Sequence, residues 1–460
     1  MKRKPSFLGL VFAVALLSLI PVNSNFFATP YSLQQASEAW ETSLKTGDEL
    51  YAAARYTEAL AAYSEAVRLK PDHPRPHFGL INTYNKLNRS EEAVTLYKRA
   101  VADRPNDAVA HYGLGLSYSV FSPPKNSAAS AAAYEQAIRL KPEFAEAHNN
   151  LGNYYNEMKR PEEALKSFQQ AARFKPDLVF AYTNMGNTYA ALKRYPEAFE
   201  AYKQALKIKP DSAEAHSGIG YVYQLTNQFE LAIAAHKEAI RLNPNFARAY
   251  DNLGQIYFQS HQYAQAIENF KVVNRLLPKY VAAYLNIGRA YLSQKEWAEA
   301  IPWFKETIKL EPANPGGHYF LGSVYLEMER YEEALATFQE TVRIAPDSSA
   351  SYGQLGRALF GLEKVEEAVE AYKKALSLRA EDVITLGNLG LAYIKLKRYP
   401  EAIEVHKQAI RVDPKFARSY FNLGLSYHFA GQRDDSLQQY KILQTIDTDL
   451  AKQLLERISK

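Results

Sequence analysis

The stretch Ala145–Pro176, AEAHNNLGNYYNEMKRPEEALKSFQQAARFKP, contains two amphipathic segments joined by a short turn. In its first half, small and packing residues follow His148 with the spacing i, i+3, i+4 and i+7. In its second half, such residues follow Ala164 with the spacing i, i+4, i+7 and i+8. Both spacings mark one face of a helix. Pro161 suits the first position of a helix, where a missing N–H costs nothing, and Pro176 ends the second helix. The stretch therefore predicts a helix–turn–helix unit.

Prolines that end the second helix recur along the chain at a fixed interval. Seven of them are each 34 residues apart: Pro142, Pro176, Pro210, Pro244, Pro278, Pro312 and Pro346. The interval from Pro71 to Pro105 is also 34 residues, and it is 37 from Pro105 to Pro142. We therefore expect about twelve repeats over residues 40–447, with a three-residue insertion in one turn near residues 121–127.

A 34-residue helix–turn–helix repeat of this kind resembles the tetratricopeptide repeat (TPR). The resemblance implies an all-α, right-handed α-solenoid of about twelve repeats, sealed by a C-terminal capping helix at residues 448–460. Two irregularities lie close together: Pro302 inside a second helix, and the pair Gly316 and Gly317 at the start of the next repeat. Because proline kinks a helix and glycine delays its start, we expect a change of curvature near residues 302–317.

The first 24 residues have the pattern of an export signal. Basic residues 2–4 precede the apolar run 7–20, and small residues suit cleavage after Ser24. The run is shorter than the roughly 18–20 residues of a spanning helix. We expect a signal peptide at 1–24, a lead at 25–39, and a periplasmic or secreted protein. The alternative is a membrane anchor formed by residues 7–20, with membrane contact only in that case.

Composition argues against several classes of function. The chain has no cysteine, which excludes thiolate metal sites and cysteine nucleophiles. Its formal charge of +5 falls to +2 without residues 1–24, since three of its 55 basic residues lie there, leaving 52 against 50 acidic ones. Such a balanced chain is poorly suited to nucleic acid. It lacks the P-loop, G-x-S-x-G and H-E-x-x-H patterns. We therefore expect no enzyme activity, no catalytic or metal-binding residues, no cofactor and no nucleic-acid partner.

Most histidines occupy recurring positions. With each repeat numbered from the residue equivalent to Ala145, seven of the ten histidines fall at positions 4 and 24, where other repeats carry packing side chains. They are His77, His111, His148, His216 and His318 at position 4, and His236 and His406 at position 24. The pattern predicts packing residues rather than metal ligands.

One face of the first helix carries a row of amides. Positions 2, 6, 9 and 13 fall opposite the predicted buried stripe at 4, 7, 8 and 11. In TPR arrays this face lines the concave groove, so the resemblance makes these positions the candidate ligand contacts. Amides occupy position 6 or 9 at Asn150, Asn153, Asn184, Asn187, Asn252, Asn286, Gln354, Asn388 and Asn422. Asparagine is a poor helix former, and its amide can pair with both the N–H and the C=O of an extended peptide.

The row resembles the asparagine ladder in the TPR superhelix of O-linked N-acetylglucosamine transferases, without any catalytic domain. That resemblance implies binding of extended partner polypeptides. The row is interrupted, for example by Phe320 at position 6 of repeat nine. Inheritance of the same residue through internal duplication is the alternative explanation of the row. The carboxylate clamp of TPR co-chaperones is not matched, because position 5 is never lysine and position 6 is never arginine.

The same face becomes more apolar in repeats nine to twelve, at Phe320, Leu391, Leu425 and Phe429. Such side chains suit a partner's hydrophobic anchors or self-association. We therefore expect a non-catalytic protein–protein interaction scaffold that binds partner proteins or extended peptides. The alternatives are a membrane-tethered envelope assembly or secretion component, and a non-catalytic subunit of a glycosyltransferase-type complex.

Overall fold

The computed structural model describes residues 33–121 and 127–459, which form 25 α-helices and no strand. The expected signal peptide lies outside these residues, as does most of the turn insertion near 121–127. The first helix begins at Leu33, so the last seven residues of the expected lead at 25–39 are helical. Twelve consecutive helix pairs and one final helix make up the described residues, which confirms the all-α solenoid class.

The chain divides into two compact units, one up to Arg194 and one from Tyr195. Residues 302–317, where a curvature change is expected, lie inside the second unit, and that change stays a prediction. In its described residues the first unit contains nine helices: α1 Leu33–Ala52, α2 Tyr56–Leu69, α3 Pro74–Lys86, α4 Ser90–Asp103, α5 Ala108–Val120, α6 Ser127–Leu140, α7 Ala145–Glu157, α8 Pro161–Phe174 and α9 Val179–Ala191.

The described part of the second unit contains the other sixteen helices: α10 Tyr195–Ile208, α11 Ala213–Leu225, α12 Phe229–Leu242, α13 Ala247–Gln259, α14 Tyr263–Leu276, α15 Val281–Ser293, α16 Trp297–Leu310, α17 Pro315–Glu327, α18 Tyr331–Ile344, α19 Ser349–Gly361, α20 Val365–Leu378, α21 Val383–Lys395, α22 Tyr399–Val412, α23 Ala417–Phe429, α24 Arg433–Ile446 and α25 Thr448–Ile458. We call the first helix of each repeat helix A and the second helix B. Within each unit a helix A packs against its own helix B and against helices of the neighbouring repeats.

Glycine at position 8 lets the two helices of a repeat cross closely. A Cβ added to Gly152 would lie 2.5 Å from the ring of Phe168, and one added to Gly288 would lie 2.6 Å from the ring of Phe304. Both rings are fully buried. The aromatic ring at position 24 therefore fills the space that the glycine leaves, and this contact is the repeated core of the solenoid.

The turn between the two helices uses a residue with positive φ. Lys159 has φ of 58° and His261 has φ of 57°. The N–H of Arg160 donates to the carbonyl oxygen of Tyr155 at 2.8 Å, which closes helix A with a left-handed C-terminal cap. His261 therefore lies in an interhelix turn.

Pro302 and the pair Gly316 and Gly317 do not shift the bounds of the helices that contain them. Helix α16 continues through Pro302 as a single element of 14 residues. Helix α17 begins at Pro315, because the side chain of Asn314 caps it by accepting from the N–H of Gly317 at 3.0 Å. The expected late start of this helix is therefore wrong, since the cap offsets the conformational freedom of the two glycines.

The stripe of positions 4, 7, 8 and 11 describes only part of the burial of helix A. Ala147 at position 3 and Val222 at position 10 are fully buried, and Thr183 at position 5 is 5% exposed. Helix A is covered on two sides, by its own helix B and by helices of the neighbouring repeats. Position 6 therefore lies at the edge of the interface between helices of neighbouring repeats, and it is not fully open to solvent.

The position-4 histidines bond to the preceding turn. Each places Nε2 within 3.0 Å of the carbonyl oxygen of a proline six residues earlier, namely His77 on Pro71, His111 on Pro105, His148 on Pro142, His216 on Pro210 and His318 on Pro312. Only His77 among them is buried. The other four are half-buried, and Tyr284 and Tyr420, at position 4 of other repeats, donate to the equivalent proline carbonyls. The histidines therefore take the place of a tyrosine and keep its hydrogen bond.

Candidate functional site

The nine predicted amides all lie on helices A, but they differ in exposure. Asn153 and Asn187 are exposed, while five are half-buried, namely Asn150, Asn184, Asn286, Gln354 and Asn388. Asn252 is 9% exposed and Asn422 is 4% exposed, so both lie in the packed interior. Helices A of successive repeats contact each other in these places, α11 with α13 and α21 with α23, but also in repeats where position 6 is only half-buried.

In repeats four and five the amides bond to one another. Asn184 Nδ2 donates to Asn149 Oδ1 at 3.1 Å, and Asn149 Nδ2 donates to Asn150 Oδ1 at 3.3 Å. Asn156 Nδ2 donates to Thr188 Oγ1 at 2.8 Å. We call these five residues the amide cluster. It joins α7 to α9, so part of the hydrogen-bonding capacity of Asn150 and Asn184 is used within the chain.

A cleft of about 270 Å³ lies beside the amide cluster. Its lining includes the amides of Asn150 and Asn153 together with aromatic side chains, namely Phe78, Tyr118, Tyr134 and Tyr154. Phe78 is 53% exposed, and burial raises the pKa of Tyr134 to about 12, so its phenol stays neutral. Phe78 and Tyr154 are not among the predicted contacts, because they occupy positions 5 and 10 of their repeats, outside the face of positions 2, 6, 9 and 13. Aromatic walls with a few amides can hold an extended peptide.

The second unit has a cationic arrangement in repeats seven to nine. The guanidinium carbon of Arg289 lies 5.1 Å from the ring centre of Phe258 and 5.4 Å from that of Phe320. Its Nη1 donates to Asn286 Oδ1 at 3.3 Å. We call these four residues the arginine clamp. Phe320 is itself held by a stacked contact with Phe304 at 5.7 Å. The residue that interrupts the amide row therefore forms one side of a cation–π site.

Asp251 lies on α13, the same helix as Phe258. Its Oδ2 accepts from Gln255 Nε2 at 2.7 Å, while its Oδ1 is buried and has no partner in the part of the chain that the structure describes. Burial raises the pKa of this carboxyl group. Asp251 makes no ion pair with Arg289, so it does not neutralise the clamp.

Repeat ten contains a related pair on α19. Arg357 Nη1 donates to Gln354 Oε1 at 2.8 Å, which matches the pairing of Arg289 with Asn286 in repeat eight. Arg357 also lies 3.6 Å from a carboxylate oxygen of Glu327. The amide at position 6 therefore orients an arginine at position 9 in two repeats, and only one of these arginines has a carboxylate from the described chain.

The apolar face expected in repeats nine to twelve is smaller than the sequence suggests. Leu425 is 5% exposed and packs with Leu443 in the core that α25 covers. Phe320 belongs to the arginine clamp. Leu391 is half-buried, and Phe429 is 48% exposed. The expectation is therefore wrong for Leu425, because the terminal helix α25 covers its side chain. Self-association stays a prediction.

The described residues show no metal centre and no membrane span. Within 33–121 and 127–459 there is no group of three or more histidine, aspartate or glutamate side chains placed to hold a metal ion. None of the helices in the same ranges is both long enough and apolar enough to cross a membrane.

Family models match most of the repeat region. Models described as TPR repeat or tetratricopeptide repeat match residues 50–115, 128–159, 145–178, 186–227, 225–261, 317–381 and 390–431. A model of subunit 3 of the anaphase-promoting complex matches residues 270–341. No curated protein matches the chain. The repeats found by their proline spacing are therefore found again by independent family patterns.

Several solved structures are similar to this chain. The anaphase-promoting complex hetero-tetramer Cut9–Hcn1 is 14% identical, with 90% of this chain and 95% of that chain covered and a TM-score of 0.43. MamA is 26% identical, with 38% and 96% covered and a TM-score of 0.35. PilF of Pseudomonas aeruginosa is 20% identical, with 45% and 94% covered and a TM-score of 0.41. The family assignment rests on the repeat patterns rather than on these structures.

Proposed function

Because the chain is a tetratricopeptide repeat protein, we propose that it is a non-catalytic interaction scaffold, exported from the cytoplasm, that binds extended segments of partner polypeptides along its helices A. A protein-interaction scaffold is the general role of the family. The further elements of the proposal are the extended form of the ligand, the use of amide side chains, and export.

The exposed amides beside an aromatic cleft are the observation that supports an extended ligand. Asn153 is exposed and lines the cleft, and Asn187 occupies the same position one repeat later. An amide offers donors and an acceptor together, so it can pair with the N–H and C=O of a peptide in the extended conformation. Recognition of this kind depends on the backbone of the partner more than on its side chains.

The test is to measure how the full-length protein binds extended peptides. Twelve-residue peptides are selected by display from a random library, and the strongest is synthesised with single backbone N-methyl groups and, separately, with single alanine substitutions. We expect N-methylation to weaken binding more than alanine substitution at several positions. Each lost hydrogen bond corresponds to about threefold to tenfold in affinity.

The matched variants separate the candidate face from the rest of the helical surface. The double variant Asn153→Ala and Asn187→Ala should weaken the selected peptide about tenfold or more. Asn269→Ala, on helix B of repeat seven, should leave the affinity unchanged. Equal affinity for wild type and the double variant, with normal thermal unfolding, would show that these amides do not bind the ligand.

Export is tested by the mass of the protein recovered from its native cells. Loss of residues 1–24 is the expected result and supports a periplasmic or secreted scaffold. Retention of these residues would favour the alternative, a membrane-tethered assembly component held by the apolar run 7–20. The mass measurement is independent of the peptide-binding experiments, so the two parts of the proposal can fail separately.

A further inference from the structure

We propose that the arginine clamp is a binding site for a carboxylate of the partner polypeptide, supplied by an aspartate or glutamate side chain or by a C-terminus. The inference rests on the proposed function, because it names the chemistry that one part of helix A would recognise in a bound polypeptide. The central group is the guanidinium of Arg289, at position 9 of repeat eight.

The surroundings of Arg289 hold its guanidinium in place before any ligand arrives. Phe258 comes from the preceding repeat and Phe320 from the following one, and both rings lie within cation–π distance of the guanidinium carbon. Asn286 accepts from Nη1, one turn earlier on the same helix. A long side chain that is already ordered loses less conformational entropy on binding than a free surface arginine.

The charge of Arg289 is left without a counter-charge by the described chain. A guanidinium has five N–H donors, and the hydrogen bond to Asn286 uses one of them. In residues 33–121 and 127–459, no carboxylate lies at ion-pair distance from Arg289, although the residue is half-buried. A partly desolvated cation with open donors favours a planar anion such as a carboxylate, which can accept two parallel hydrogen bonds.

Repeat ten contains a similar arginine–amide pair for which the chain supplies the anion. Arg357 also lies at position 9 and donates to the amide at position 6, at 2.8 Å. Glu327 of repeat nine lies 3.6 Å from its guanidinium. Arg357 is therefore a control that shares the residue type, the position and an amide partner at position 6, but has an internal carboxylate and is exposed.

The experiment uses acidic peptides as the probe and the full-length protein. Twelve-residue peptides selected from a random display library are compared for wild type, Arg289→Gln and Arg357→Gln. We expect enrichment of acidic residues on wild type and on Arg357→Gln, and its loss on Arg289→Gln. The strongest acidic peptide should bind Arg289→Gln about tenfold to a hundredfold more weakly.

Peptide derivatives identify the carboxylate. Single Glu→Gln or Asp→Asn changes, and a C-terminal amide, are made in the selected peptide. One of these changes should weaken binding to wild type by a similar factor and have little further effect on Arg289→Gln, as expected for two groups that contact each other. Which derivative shows this coupling distinguishes a side chain from a C-terminus.

Three results would overturn the proposal. The first is that neutral peptide derivatives bind wild type with the same affinity as the acidic peptides. The second is that the acidic peptide binds Arg289→Gln with unchanged affinity. In both cases peptide binding itself, and with it the proposed function, would stand. Absence of any peptide binding to wild type would remove both. Should Arg289→Gln fail to fold, Phe258→Leu keeps the cation but loosens the clamp, and it should weaken the acidic peptide and not its neutral derivative.

Discussion

In repeats four and five the side chains of helix A bond to one another across the repeat boundary, whereas in repeats seven to nine they surround a cation. The amide cluster links Asn149, Asn150 and Asn184 through neutral hydrogen bonds. The arginine clamp places Arg289 between rings from two other repeats. The backbone beneath both is the same, with glycine at position 8 against an aromatic ring at position 24.

This difference teaches that a repeat position specifies a place but not a role. Position 6 is Asn150 in one region and Phe320 in the other, and position 9 is Asn153 or Arg289. The neighbours supplied by adjacent repeats decide whether such a side chain is bonded internally, stacked or open to a ligand. We propose a peptide backbone as the ligand of the first region and a carboxylate as the ligand of the second.

Acidification should give the largest difference between the two units. The second unit contains two fully buried histidines, His236 and His406, and burial lowers the pKa of each to about 4. In the unfolded chain these two histidines bind protons below about pH 6.5, whereas in the folded chain they do so only below about pH 4. Their contribution to the free energy of unfolding is therefore complete above about pH 6.5 and is lost as the pH falls from about 6.5 to about 4. The loss by pH 4.5 should be about 2–3 kcal/mol for each histidine.

Urea unfolding at pH 7 and pH 4.5 measures this effect. The double variant His236→Phe and His406→Phe should lose much less stability between these pH values than wild type, since phenylalanine does not titrate. The described part of the first unit contains one buried histidine, His77, whose ring nitrogens lie beside Tyr97 and the carbonyl oxygen of Pro71. Burial also lowers the pKa of His77, so the double variant should keep part of the acid-induced loss. An equal loss in wild type and the double variant would contradict the role of the two histidines.

Substitution of the position-8 glycines tests whether the two regions share one scaffold. Gly152→Ala and Gly288→Ala should each destabilise the protein by about 1–3 kcal/mol, because the new methyl group would overlap a buried ring. Gly387→Ala is the control, since nothing lies within 4 Å of its added Cβ, and it should stabilise by up to about 1 kcal/mol. Thermal unfolding reports all three. Costs at Gly152 and Gly288 that differ by several kcal/mol would break the idea of a common scaffold.

Replacing one amide in each region gives the smallest expected effect. Asn184→Ala removes the N–H group that donates to Asn149 Oδ1, and Asn149 is only 8% exposed, so its oxygen loses a partner in a buried place. Asn286→Ala removes the acceptor of Arg289 Nη1, which is half-buried and can bind water instead. The gain in helix propensity is common to both substitutions. Asn184→Ala should therefore be about 1 kcal/mol less stable than Asn286→Ala by urea unfolding. Equal stabilities would show that the amide cluster does not hold its repeats together.

Much of the fold could be predicted from the sequence because its signals are local. The stretch Ala145–Pro176 predicts two helices, and the structure places them at Ala145–Glu157 and Pro161–Phe174. The tight contact between the helices of a repeat is also visible in the sequence, as glycine at position 8. A helix, its cap and its turn depend on residues within a few positions of one another, so the order of residues contains this information.

The candidate site could be predicted only in part. The amide row led to Asn153, which lines the cleft, but Asn252 and Asn422 belong to the same row and are buried. Arg289 carries no signal by itself, because its significance depends on Phe258 and Phe320, 31 residues before and after it. A pattern that repeats every 34 residues does not show which of two similar positions its neighbours cover.

By itself the sequence determined the repeat, its length and its approximate helix boundaries, since these follow from spacing and composition. Only the tertiary structure decided which amides bond to each other, that Leu425 lies under the terminal helix, and that two phenylalanines surround one arginine. The physical reason is that burial and desolvation are properties of a surface formed by several repeats at once. Each side chain acquires its role from neighbours that a single repeat does not contain.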